Sequence, residues 1–228
     1  MILSAHQPAY LPWLGYFDKI ARADIFVYLD TVQFEKNSFI NRNRIKTPQG
    51  PQWLTIPVKI KGHMATTLRE TEVDGSQPWS VKHLKTIAMN YSRAQYFSVC
   101  FPKLQALLAD TQNNLADLCW RQLQFWLTEF RITTRVVRSS ELPVSGTKSD
   151  LILELCRHFG STNYLSGVLG RDYLRLEDFE ARGIKLEYQH YTYPVYPQLW
   201  GEFVPHMSAL DFWMNCGPGS GQFTEQTK

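Results

Sequence analysis

The sequence predicts an α/β fold with a Rossmann-like, mainly parallel sheet carrying a helical insertion. Three observations predict it. Short apolar runs alternate with helical stretches at both ends of the chain, helices dominate the middle, and the apolar runs empty directly into polar residues. That alternation is the signature of βαβ units packed into one sheet.

The first run, Ile2 to Ala5, reads as a buried strand ending at the turn His6-Gln7-Pro8. Trp13 to Ala23 reads as a helix, with Pro12 near its first turn. Ile25 to Asp30 is the second strand. A helix of about ten residues is a suitable crossover, so the two strands are expected to be parallel neighbours. Thr31 to Gln52 is polar and reads as a long functional loop. Trp53 to Lys59 alternates and is β-branched, with Pro57 marking an edge, and Thr66 to Asp74 is its expected partner.

Helices are expected at Ser80–Tyr91, Pro102–Ala109 and Leu115–Phe130, the last with apolar residues near a 3.6 period. They form an insertion over 75–130 within a single 1–228 domain. Alternation then returns. Arg135–Arg138 is a strand, Lys148–Phe159 a helix stopped by Gly160, Asn163–Leu165 a strand, Asp172–Ala181 a helix and Ile184–Tyr188 a strand. Tyr191 to Pro205 is extended and proline-rich. Ser208–Asn215 is a short helix with Ser208 as N-cap and Asp211 at capping-box distance, and 217–228 is a frayed tail.

Composition narrows the function. A net charge of +3 without a Lys/Arg run gives no footprint for nucleic acid. No apolar run approaches the roughly 20 residues of a membrane span, and Met1-Ile-Leu-Ser has no basic leader, so a cytoplasmic protein without membrane insertion is expected. The four cysteines, Cys100, Cys119, Cys156 and Cys216, are too far apart for a metal knuckle and read as buried thiols. His63 and His83 lack partners at metal spacing and read as surface residues, so no metal site is expected. No Gly-x-Ser-x-Gly elbow or Walker loop is present.

Ligands of open α/β sheets bind beyond the carboxyl ends of the strands. His6, Gln7, Asp30, Ser139, Ser140 and Ser166 each follow a predicted strand there, so they are expected to line one cleft. Imidazole can move a proton near neutral pH, which makes His6 a candidate general base. Asp30 can orient an amine or bind a hydroxyl. Arginine's planar fork suits phosphate, so Arg42, within the cluster Asn41-Arg42-Asn43-Arg44, is the expected anion contact. Lys59 and Lys61 read as exposed. Tyr10 and Trp13 could form a stacking wall for a sugar or base, although with Tyr16 and Phe17 they also suit a core face. Gly170-Arg171-Asp172 is a glycine-flanked turn, and Arg171 and Asp172 join the substrate-binding set.

The strings His6-Gln7-Pro8-Ala9-Tyr10-Leu11-Pro12-Trp13-Leu14-Gly15-Tyr16-Phe17, Leu29-Asp30-Thr31-Val32-Gln33 and Asn41-Arg42-Asn43 resemble the WbqC-like protein family. So do Trp53-Leu54-Thr55, Ser139-Ser140, Tyr164-Leu165-Ser166-Gly167, Tyr196-Pro197-Gln198 and Ser208-Ala209-Leu210-Asp211. The resemblance spans essentially the whole chain and adds Gln33 to the substrate-binding set. It implies a role in O-antigen or other surface-polysaccharide biosynthesis, with transfer of an amino acid or acyl group to the amine of a sugar nucleotide. A second, weaker likeness is to pantothenate synthetase and its nucleotidyltransferase relatives. Their His-x-Gly-His signature is matched here at His6 at most.

The favoured expectation is therefore an amide-forming transferase or ligase acting on a sugar nucleotide or other phosphorylated small molecule. The alternatives are a non-catalytic sugar-nucleotide or carboxylate-binding module partnering a glycosyltransferase, and an ATP-dependent nucleotidyltransferase-like ligase. No cofactor is specified by the sequence.

Overall fold

A computed structural model describes residues 1–59, 66–109 and 112–220. The chain opens with β1 (Ile2–His6), α1 (Leu14–Ala21) and β2 (Ile25–Tyr28). β1 and β2 are parallel neighbours, with Leu3 opposite Ile25 and His6 opposite Tyr28, as the short crossover requires. Next comes a hairpin of β3 (Arg42–Thr47) and β4 (Gly50–Thr55), then helices α2 (Trp79–Tyr91), α3 (Phe97–Ala109) and α4 (Leu115–Glu129). The alternation resumes with β5 (Arg135–Arg138), α5 (Lys148–Phe159), β6 (Asn163–Ser166), α6 (Leu176–Glu180), β7 (Lys185–Tyr188) and α7 (Ala209–Cys216).

Five strands form one parallel sheet in the order β5-β2-β1-β6-β7. This is a Rossmann-like α/β arrangement. Strand order reverses at β1, so the crevice beyond the ends of β1 and β6 is the topological switch point. Successive side chains point to opposite faces of a strand. Phe26 and Tyr28 enter a large core shared with α1 to α4, α7 and the hairpin, whereas Leu3, Ala5, Ile25 and Val27 enter a second core with α5 and α6.

Several expectations are corrected. The polar stretch read as one long loop contains β3, whose Asn43 and Ile45 point inward while Arg42 and Arg44 stay half-buried. Its alternation had a polar residue, Asn43, on the inner face, which disguised it. The strand expected at Trp53 starts at Gly50 and pairs with β3, not with Thr66–Asp74, which contributes only the isolated bridges Gln33–Thr67, Val58–Val73 and Glu72–Asn114 among the described residues. α3 begins at Phe97, so Pro102 lies inside it. The helix expected over Asp172–Ala181 is a 3-10 turn (Val168–Asp172) followed by the short α6. Ser208 does cap α7, accepting from the Leu210 amide, but Asp211 is drawn into other bonds instead of completing a capping box. Lys61, His63 and most of the tail, 221–228, lie outside the described residues.

Candidate functional site

β1 delivers His6 to the α1 face of the sheet. The His6 Nδ1–H donates to its neighbour's carbonyl, Gln7 O, at 2.9 Å, which leaves Nε2 with its lone pair free. Trp13 and Tyr16 pack edge-on around the ring, with centroids 5.5 and 5.0 Å away. Burial, then the charge of Lys19, depresses the His6 pKa to about 3 against the opposing Gln7 bond, so the imidazole is neutral at any physiological pH. A base titrating near neutrality was expected here, and the apolar collar is why it does not.

Lys19 was missed by sequence reasoning, because a lysine on an amphipathic helix ordinarily faces water. Here it faces the sheet. It is 3 % exposed, and its Nζ donates to Ala5 O at 3.1 Å. A side-chain carbon added at Gly167 would come within 3.7 Å of that Nζ, so the amine sits across the β1–β6 junction. Lys19 has no carboxylate partner among the described residues, and burial pulls its pKa down to about 7. The neighbouring Asp18 carboxylate instead accepts from Gln189 Nε2 at 2.6 Å, and Gln189 also bonds Gly15 O and, through its backbone, Ser166 O.

From His6 an aromatic path leads outward. Trp13 meets Phe39 at 5.3 Å, and Phe39 meets Trp53 at 5.7 Å; Phe39 and Trp53 are 39 and 41 % exposed. Arg42 and Arg44 share one face of β3 and lie 4.3 and 5.5 Å from the Trp53 ring. Neither has a carboxylate partner among the described residues, and the Nε of each is buried without a hydrogen bond. The extended tail supplies a further wall: Tyr191 reaches the bare Cα of Gly15, where an added carbon would sit 3.0 Å from its ring, and Tyr193 and His206 follow beside Arg44.

Other expected site residues are placed elsewhere. Asp30 is 0 % exposed and makes four hydrogen bonds, accepting from Ser139 Oγ (2.9 Å) and Ser140 N (2.9 Å) at one oxygen and from Arg138 Nε (2.7 Å) and Ser140 Oγ (2.8 Å) at the other. A carboxylate has about four lone-pair sites, so none is left to orient an amine. Asp30, Ser139 and Ser140 thus come together as a closed knot joining the ends of β2 and β5, not as open groups lining a cleft. Asn41 donates to Ile56 O and Asn43 to Leu11 O, so both amides hold the hairpin instead of facing a ligand. Tyr10 is in the core, bonded to His83, which is therefore buried and not at the surface. Ser166 is buried and donates to Gly167 O. Gln7 is half-buried, Gln33 is exposed, and Arg171 stacks over Tyr188 at 4.7 Å beside the exposed Asp172.

The described residues hold no cluster of His, Cys, Asp and Glu suited to a metal, and no helix long and apolar enough to cross a membrane. No solved structure matches significantly. An uncharacterized protein of Mycobacterium tuberculosis, Rv1507c, is 37 % identical over 213 residues, covering 92 % of each chain. The model of the WbqC-like protein family matches residues 7–223, and the chain belongs to that family.

Proposed function

We propose that the chain is an enzyme of surface-polysaccharide biosynthesis that joins an acyl or aminoacyl group to the amine of a sugar nucleotide. The observation that carries this reading is the continuous path from an uncharged imidazole at the switch point, over half-exposed aromatic rings, to two arginines without carboxylate partners. Its ends suit the two ends of such a substrate. The fixed lone pair on His6 Nε2 accepts a hydrogen bond from the N–H of an attacking amine and orients its nitrogen toward the acyl carbon. Sugar rings stack on aromatic faces, and guanidinium forks suit phosphate oxygens. Asp30 takes no part in the chemistry and serves to hold the strand ends.

The reading is tested by thermal-shift screening of nucleotides, sugar nucleotides, amino acids and acyl-CoA, singly and in pairs, followed by a turnover assay on the pair that stabilises. A charge-assisted contact contributes about 1.5–3 kcal/mol, so Arg42→Ala should weaken sugar-nucleotide affinity roughly ten- to hundredfold. His6→Ala removes the acceptor that positions the amine, and misplacement of a reacting group costs about 10²-fold, so turnover should fall by roughly that factor with little change in Tm. Because His6 titrates near 3, a rate limb near neutral pH would belong to another group.

One observation favours a non-catalytic binding module. An imidazole with so low a pKa is a weak base but a good hydrogen-bond acceptor. Ligand binding without turnover for any pair supports that alternative, whereas near-normal turnover in His6→Gln would make His6 a hydrogen-bonding positioner within an enzyme.

A further inference from the structure

We propose that the junction of β1 and β6 is an anion site in which Lys19 is the receiving group, and that binding a carboxylate or a phosphate-like oxyanion there takes up one proton. This rests on the same crevice as the proposed function but not on amide chemistry.

The argument begins with unsatisfied capacity. An ammonium has three donors, and among the described residues Lys19 Nζ has one bond, to Ala5 O. An amine so buried and unpaired favours its neutral form, since a charge removed from water without a partner is costly. An anion arriving beside Gly167 would supply the missing partner and restore the charge. Gly167 leaves space for it, since a carbon built there would meet Lys19 Nζ at 3.7 Å and, apart from its chain neighbours, no other described atom within 4 Å.

The surrounding groups do not pre-empt this. From β1, His6 is neutral and offers only an acceptor. From α1, Asp18 is engaged by Gln189 and by Arg22 at 3.6 Å, and the Tyr16 hydroxyl, held protonated by burial, points to Gln7 O. From the tail, burial likewise keeps Tyr191 protonated. Ser166 and Gly167 of the β6 end carry no charge, and Arg171, over Tyr188, is one strand away. Lys19 is the group at the junction whose own titration, near pH 7, falls in the working range.

The test uses the full chain with two probes: sulfate, whose charge is constant from about pH 5 to 9, and acetate as the carboxylate arm. Affinity should weaken by about tenfold per pH unit above the Lys19 midpoint, as one-proton linkage requires. Lys19→Met should remove the pH-dependent part. Arg42→Ala and Arg44→Ala should keep it, since guanidinium does not titrate there, so a failure of the phosphate role given to Arg42 is distinguishable from a failure here. Because Lys19→Met could fold poorly, the ε-carbon NMR titration of Lys19 in the wild type is the second readout, and either probe should raise its midpoint. A response to sulfate alone assigns a phosphate-like group, and to acetate alone a carboxylate. Equal affinity at pH 6 and 8.5, or a Lys19 midpoint unmoved by both probes, overturns the proposal.

Discussion

Asp30 accepts a hydrogen bond at each of its lone-pair sites, and the energetics of the β2–β5 strand ends follow from that. Burial by itself would raise its pKa, but the bonds from Ser140, Arg138 and Ser139 outweigh burial and hold the carboxyl below its ordinary value of 3.8. A carboxylate depressed in the folded state contributes stability that is complete above the unfolded pKa and lost as pH falls through the folded one. Asp30→Ala strips one partner from Arg138, which is tied also to Asp117 at 2.6 Å, and removes the acceptor of the Ser140 amide and hydroxyl and of the Ser139 hydroxyl. Breaking a buried pair in this way costs about 3–5 kcal/mol. Urea unfolding at pH 7 should show that loss, and Asp30→Asn should flatten the acid limb below pH 4. A variant as stable as wild type would mean the knot is dispensable.

At the scale of an element, the turn after β6 depends on a bare Cα. A side-chain carbon at Gly170 would fall 1.9 Å from Ser166 Oγ and 3.1 Å from Ser166 Cβ, with Leu174 Cδ1 at 3.0 Å. Overpacking of this kind typically costs about 1–3 kcal/mol. Gly170→Ala should therefore lower Tm, and adding Ser166→Ala should recover part of the loss, because the Oγ clash goes while the Cβ contact stays. No recovery in the double variant would show that the backbone itself has shifted. The sequence made such elements legible to different degrees. Strands buried on both faces, such as β1 and β2, read as plain apolar runs, and α5 announced its end with Gly160, which takes φ +62°. β3 did not, because arginines and asparagines alternate along it and the inner asparagine is satisfied by a distant carbonyl, Leu11 O. Among the candidate site residues, His6 was read from its position after a strand, Trp13 from its ring at the start of a helix, and Arg42 from its residue type. Lys19 could not, because only the tertiary fold turns that helical face inward. Asp30 and Ser139 were each read as strand-end residues open to a ligand, and their mutual saturation is invisible until the donors are counted.

Across the whole molecule, the extended tail and the helical layer meet at Asp211. Its buried carboxylate accepts from Tyr91 of α2 at 2.6 Å and from Tyr196 and Gln198 of the tail at 2.8 and 2.7 Å. The Tyr91 hydroxyl in turn accepts from the Lys46 amide of β3 at 3.0 Å, Gln198 Oε1 accepts from Val204 N at 2.8 Å, and the Lys46 ammonium donates to Glu202 O. One side chain on α7 thus ties α2, the hairpin and the tail together, and that same tail carries Tyr191 and Tyr193 past Trp13 and Arg44. The residues Gln198 and Asp211, which belong to the strings that mark the family resemblance, therefore anchor the segment that carries Tyr191 and Tyr193. Each orphaned buried donor costs about 1–3 kcal/mol. Asp211→Ala should destabilise by several times that unit and accelerate amide exchange at Val204, while the amides of β1 and β6 exchange as before apart from the global shift. Tyr196→Phe, which removes one donor and orphans less, should cost about 1 kcal/mol and show the same local pattern. Ligand affinity should fall with Val204 protection in both variants, since the wall formed by Tyr191 and Tyr193 loses its anchor. Unchanged exchange at Val204 in Asp211→Ala would mean that the tail is held by its other contacts, such as the Trp200 indole on Asn90 O at 2.9 Å, and that the node does not govern the cleft.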